Sequence, residues 1–75
     1  MKRHIVESST LLTIAYDLDR QILQLEFRDH ATYNYFDVPA DVYQALLDAP
    51  SIGGYFNRYI RAAFKYVRIK AAFLS

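Results

Sequence analysis

The sequence predicts a small α+β domain: a three-stranded antiparallel meander followed by two helices packed on one sheet face, in the order βββαα. Three observations predict it. Apolar residues alternate with period two through the first half, the period lengthens to a helical one after Pro39, and short turn-forming segments separate the strands. A chain of 75 residues has volume for a single hydrophobic core, so residues 1–75 read as one domain. Its core spans about residues 6–69, with 70–75 as a tail.

The first strand is read over Leu11–Tyr16, where Leu12, Ile14 and Tyr16 recur at period two. Turn formers follow in Asp17-Leu18-Asp19-Arg20. In the second strand Leu23, Leu25 and Phe27 face the core, while Gln24 and Glu26 point outward. Arg28-Asp29-His30 makes the next turn. The third strand, Thr32–Phe36, puts Tyr33 and Tyr35 on one face and Asn34 and Phe36 on the other. Pro39 suits the first turn of a helix whose stripe is Val42, Tyr43, Leu46 and Leu47, ending before Pro50. Ser51 is a natural N-cap for the second helix, whose stripe of Ile52, Tyr55, Phe56, Tyr59, Ile60, Ala63 and Phe64 is the clearest in the chain. Gly53 and Gly54 cost about 1 kcal/mol each against Ala in such a helix, which points to a close contact there. Tyr66–Lys70 alternates apolar and basic residues, as a short strand or an extended arm would.

Composition narrows the function classes. There is no cysteine, which argues for a reducing cytoplasm and removes thiol and zinc–thiolate chemistry. No apolar run approaches the ~20 residues of a membrane span, so no membrane partner is expected. The net charge of +1 conceals an asymmetry. Residues 1–50 carry four basic and eight acidic side chains, whereas residues 51–75 carry five basic ones and no acid. Such a one-signed end suits a polyanion, or complements the acidic body of the same or a neighbouring molecule.

Catalytic patterns are weak. His4 and His30 lie outside motif spacing of any nucleophile, and Ser8, Ser9 and Thr10 read as capping or strand-entry hydroxyls. Gly53-Gly54 lacks a lysine at P-loop spacing. No cofactor, metal or catalytic residue is expected. Two groups of residues stand out instead. Tyr33 and Tyr35 form either a core pair under the helices or a platform on which RNA bases stack. Asn57, Arg58, Arg61, Lys65 and Arg68 are the candidate nucleic-acid contacts, three of them at helical spacing on one basic face.

Taken in order, these residues resemble the KTSC domain. The resemblance is carried by Val6-Glu7-Ser8-Ser9, Leu23-Gln24-Leu25-Glu26-Phe27, Tyr33-Asn34-Tyr35, Val38-Pro39 and Ala49-Pro50-Ser51-Ile52-Gly53-Gly54-Tyr55-Phe56-Asn57, and it covers about residues 6–69. That family takes its name from a C-terminal segment of some lysyl-tRNA synthetases and also occurs as small stand-alone bacterial and phage proteins. Its Tyr-x-Tyr mark corresponds to Tyr33 and Tyr35, and its Ser-x-Gly segment to Ser51-Ile52-Gly53. The resemblance implies RNA binding, of tRNA or a single strand. The family tends to carry Gly in the turn where this sequence has Asp29-His30-Ala31, so Asp29 or His30 must tolerate positive φ if that turn needs it. The leading expectation is a non-catalytic RNA-binding module. The alternative is a protein-interaction module or homodimer anchored on Ile22, Phe36 and Phe73-Leu74.

Overall fold

Alternating side chains generate one antiparallel sheet with two chemically different faces. In the computed structural model, which describes residues 2–69, five strands lie in sequence order. They are β1 (Lys2–Ile5), β2 (Leu11–Asp17), β3 (Ile22–Phe27), β4 (Thr32–Tyr35) and β5 (Tyr66–Ile69). Every neighbouring pair is antiparallel. Two helical segments, α1 (Ala40–Asp48) and α2 (Ile52–Tyr55), separate β4 from β5, and α2 continues as a π-helical turn over Phe56–Ile60.

The three-stranded meander is thus extended to five strands, by an unforeseen β1 and by the C-terminal segment in its short-strand alternative. Lys2–Ile5 has no apolar alternation of its own and becomes a strand by pairing with β2, in the register Arg3 to Ala15 and Ile5 to Thr13. The segment after the helices returns as β5 beside β4, with Tyr66 opposite Tyr35 and Arg68 opposite Tyr33. The second helix is also shorter than its apolar stripe suggests. It ends at Ile60, so Tyr59 and Ala63 are exposed and Phe64 is half-buried. Residues 70–75, including the expected anchors Phe73 and Leu74, lie outside the described residues.

On the helical side, Leu11, Ile14, Leu23, Leu25 and Tyr35 from the sheet meet Leu46, Phe56 and Ile60. Leu11, and not Leu12, stands opposite Phe27, because the register shifts between Leu11 and Thr13. Such a bulge adds one residue to β2 and exchanges its faces from there on. Pro39 is the extended residue that precedes α1, and its carbonyl accepts from the N–H groups of Val42 and Tyr43. The helix is held to the sheet by Leu46 and by Tyr43, whose ring stacks on Tyr16 at 4.4 Å. Tyr16 then donates its hydroxyl proton to the carbonyl of Val38, tying the entry of α1 to β2.

Gln24 does lie on the face opposite Leu23 and Leu25, but that face is covered and Gln24 is not solvent-exposed. Gln24 is only 2% exposed, and Thr13, Thr32 and Asn34 are buried beside it. Arg3 Nη2 donates to Gln24 Oε1 at 2.9 Å, and Gln24 Nε2 donates to Asn34 Oδ1 at 3.1 Å. Thr13 Oγ1 donates to Glu26 at 3.0 Å, and Arg3 lies 3.8 Å from the same carboxylate. A polar lattice therefore crosses four strands, and among the described residues no buried side-chain nitrogen or oxygen is left without a partner. Ile22 and Phe36, expected to be exposed on this side, are half-buried. Ile5 and Val67 are exposed instead.

Connecting segments carry positive φ without glycine. His30 has φ 70°, Gln21 54° and Asp37 57°. In the β3–β4 turn, the His30 N–H donates to the Phe27 carbonyl at 2.9 Å, and the Phe27 N–H donates to the Ala31 carbonyl at 2.8 Å. The left-handed residue of that turn is therefore His30.

Leu25→Ala is expected to cost about 2–5 kcal/mol, because Leu25 is wholly buried. Gln24→Ala is expected to cost about 1–3 kcal/mol, because it strips a buried partner from Asn34. Urea midpoints measure both, and a Gln24→Ala midpoint equal to the native one removes the lattice as a source of stability. His30→Val is expected to cost about 1–2 kcal/mol by forcing a branched residue to positive φ. His30→Gly should not; equal losses for the two would place the cost elsewhere.

Candidate functional site

Where helix cover stops short of the sheet's last strands, a cavity of about 340 Å³ opens. Its walls are aromatic. Tyr33 and Tyr35 of β4, Phe27 of β3, Tyr66 of β5 and Phe56 of the π turn all line it. Period two puts Tyr33 and Tyr35 on the same side of β4, and antiparallel pairing sets Tyr66 opposite Tyr35. Ring centroids lie 5.5 Å apart for Tyr33 and Tyr66, 5.4 Å for Tyr35 and Tyr66, and 5.3 Å for Phe27 and Phe56. Phe56 also meets Tyr35 edge-on at 5.6 Å. These are ordinary offset and edge-to-face separations, so the rings hold one another in place.

The two tyrosines differ in depth. Tyr35 is 3% exposed, whereas Tyr33 is half-buried. Both face the helical side, and no hydroxyl among them is a buried atom lacking a partner. Burial pushes the Tyr35 phenol up to about 12, assisted by the neighbouring Tyr66 and Tyr33 and opposed by the Arg61 guanidinium. A neutral, acceptor-and-donor hydroxyl is thus the form present at physiological pH.

Charge and hydrogen bonding enter at the rim. Asn57 and Arg61 come from the π turn and its exit, Arg68 from β5, and Asp29 from the β3–β4 turn. The π turn is defined by the Arg61 N–H donating to the Phe56 carbonyl at 2.9 Å, five residues back. π turns occur often at functional sites, because the extra residue redirects side chains relative to a regular helix. Here Phe56 is buried as a wall while Asn57 and Arg61 stay exposed at the mouth. Arg61 Nη1 lies 3.5 Å from Asn57 Oδ1.

Of the five expected polar contacts, Asn57, Arg61 and Arg68 converge on this cavity together with Tyr33 and Tyr35. Arg58 does not. It lines a separate groove of about 300 Å³ with Pro50, Tyr55 and Tyr59. Lys65 is exposed and contributes its carbonyl to the chain, accepting from the Phe36 N–H at 2.9 Å. Sequence reading overlooked Asp29, Tyr66, Phe27 and Phe56 as site residues. The alternation of Tyr66 and Arg68 was the available signal, because two residues apart on a strand share a face.

A second cavity of about 410 Å³ lies between Glu7–Thr10 and the start of α2. Ser51 caps α2, its Oγ accepting from the Gly54 N–H at 3.1 Å. A Cβ on Gly53 would sit 3.0 Å from Thr10 Oγ1 and 3.3 Å from Thr10 Cβ, tighter than ordinary contact. The Ser8–Thr10 loop is itself pinned, since Ser8 Oγ accepts from the Thr10 and Leu11 N–H groups and Arg28 Nε donates to the Ser8 carbonyl. Gly53 therefore serves close packing of loop on helix. Among the described residues, no three of His, Cys, Asp and Glu gather as a metal site, and no helix is long and apolar enough to cross a membrane.

Comparison with known proteins agrees with this fold. The KTSC domain model matches residues 7–64. An uncharacterised protein of Stutzerimonas stutzeri is 44% identical over 70 residues, covering 92% of this chain and 99% of that one. A lysine–tRNA ligase of Nostoc sp. is 40% identical over 63 residues, which are 84% of this chain and 11% of the ligase. The crystal structure of a KTSC domain protein from Yersinia pestis superimposes with a TM-score of 0.88 at 37% identity, covering 91% of this chain and 96% of that one.

The raised Tyr35 pKa yields a pH prediction. Its folded value lies above the ordinary 10, so the contribution of the neutral ring is complete below pH 10 and is lost as pH rises through about 12. Urea midpoints of the native protein should fall across that window more steeply than those of Tyr35→Phe, which has no phenol to ionise. Parallel falls would remove Tyr35 as the cause.

Proposed function

The chain belongs to the KTSC domain family, and on that premise we propose that it is a small RNA-binding module whose contact surface is the aromatic cavity and its basic rim. One observation carries the reading: Tyr33, Tyr66, Arg61, Arg68 and Asn57, contributed by three separate elements, converge on one cavity. Single-stranded RNA offers unstacked bases for aromatic rings and phosphates for guanidiniums, and recognition modules for it combine these two features. Tyr33 and Tyr66, the less buried rings, supply the stacking surface, while Arg61 and Arg68 meet the backbone. The small volume suits an unpaired nucleotide, since a duplex presents its bases edge-on inside grooves. The similar segment in lysine–tRNA ligases supports an RNA partner, because tRNA carries unpaired loops and ends.

Binding of fluorescein-labelled single-stranded RNA, followed by anisotropy at two salt concentrations, tests this. Affinity should fall with salt, and the Arg61→Gln/Arg68→Gln variant should flatten the slope by about 0.7 for each phosphate contact removed. Arg58→Gln should change binding less, because Arg58 lines another groove. Absence of salt-dependent binding by the native protein, or an unchanged slope in the double variant, overturns the proposal.

A further inference from the structure

One carboxylate stands at the mouth of a cavity whose other charged lining residues are two arginines. Asp29 Oδ1 accepts from the Ala31 N–H at 3.0 Å, which orients the carboxylate within the β3–β4 turn. That turn is closed by its own backbone bonds around His30. Asp29 forms no ion pair among the described residues, although Arg61 and Arg68 line the same cavity. An anion here repels phosphate, so its place in an RNA site calls for a different complement. A carboxylate is an acceptor only, and its best partner presents two adjacent donors.

Among the RNA bases, guanine alone offers two neighbouring donors on its Watson–Crick edge, the ring N1–H and the exocyclic amino group. Adenine and cytosine each set an amino donor beside an acceptor ring nitrogen, which a carboxylate opposes. Uracil sets its single N–H between two carbonyl acceptors. Flipped, unpaired bases are read on this edge while their faces stack on aromatic rings. We propose that the cavity selects guanine, with Asp29 accepting from its Watson–Crick edge, Tyr33 and Tyr66 stacking on its face, and Arg61 and Arg68 holding the flanking phosphates. This rests on the RNA reading above and narrows it to one base.

The test uses uridine hexamers carrying one central guanosine, inosine, adenosine or cytidine, titrated against the native protein and Asp29→Asn. The asparagine retains an oxygen for the Ala31 N–H, and its melting temperature verifies that the turn survives. Native protein should bind the guanosine hexamer about tenfold or more tightly than the adenosine and cytidine ones. Inosine, which lacks the amino group, should fall between. In Asp29→Asn the four affinities should converge near that of the native protein for adenosine.

Equal native affinity for all four hexamers, with salt dependence intact, overturns guanine selection and leaves the RNA reading standing. Guanosine and inosine binding alike overturns the two-donor contact. A preference undiminished in folded Asp29→Asn overturns the role of Asp29. A parallel titration with guanosine and adenosine 5′-monophosphates separates the two levels. Preference for the guanosine nucleotide without binding of any hexamer upholds the base pocket and sinks the RNA reading, and no response to either nucleotides or hexamers overturns both.

Discussion

Phe56 packs edge-on against Phe27 and Tyr35, joining the helical segment to the sheet at the cavity wall. One ring, 3% exposed, locks the helical segment onto strands β3 and β4. A domain of this size buries little surface, so each large aromatic carries an outsized part of its stability. The same ring forms a wall of the cavity. Packing and site are therefore one arrangement. The backbone accommodates it through the i+5 bond from Arg61 to Phe56, which leaves Phe56 inward while Asn57 and Arg61 stay at the rim.

The sheet divides its labour between faces. Toward the helices it is aliphatic and aromatic, and its burial drives folding. On the opposite face a chain of hydrogen bonds runs from Arg3 through Gln24 to Asn34, with Thr13 and Glu26 beside it. Register makes this possible: Gln24 stands directly opposite both Ala15 and Asn34, and Arg3 stands opposite Ala15. A small residue between Arg3 and Gln24 lets the longer side chains meet. Such a lattice stabilises modestly when complete and costs heavily when one partner is lost, so it favours a single strand register.

Close approach explains the glycine pair better than anion binding does. Gly53 faces Thr10 at a distance where a methyl group crowds the loop, and Ser51 caps the helix start. The hydroxyl cluster Ser8–Thr10 is engaged in holding that loop, with Ser8 accepting two backbone bonds. Both features appear in the sequence as isolated oddities. Their meaning is mutual, since each supplies the contact that the other requires.

Local pattern was enough for the α+β class, the inward face of β3, the shared face of Tyr33 and Tyr35, a helix beginning just after Pro39 and the capping role of Ser51. Each follows from local periodicity or from a residue's own backbone preference, which the chain carries wherever it is placed. Family membership was legible too, from the order and spacing of short motifs. That Lys2–Ile5 is a strand, that Gln24 is buried, and that the second helix widens into a π turn and stops at Ile60 follow from long-range packing. The tertiary structure alone brought Asp29 and Tyr66 to Tyr33, and parted Arg58 from Arg61. The physical reason is common to all of these. Edge strands, buried polar pairs and helix register depend on partners distant in sequence, and a side chain's periodicity reports only that it has a face, not what will stand opposite it.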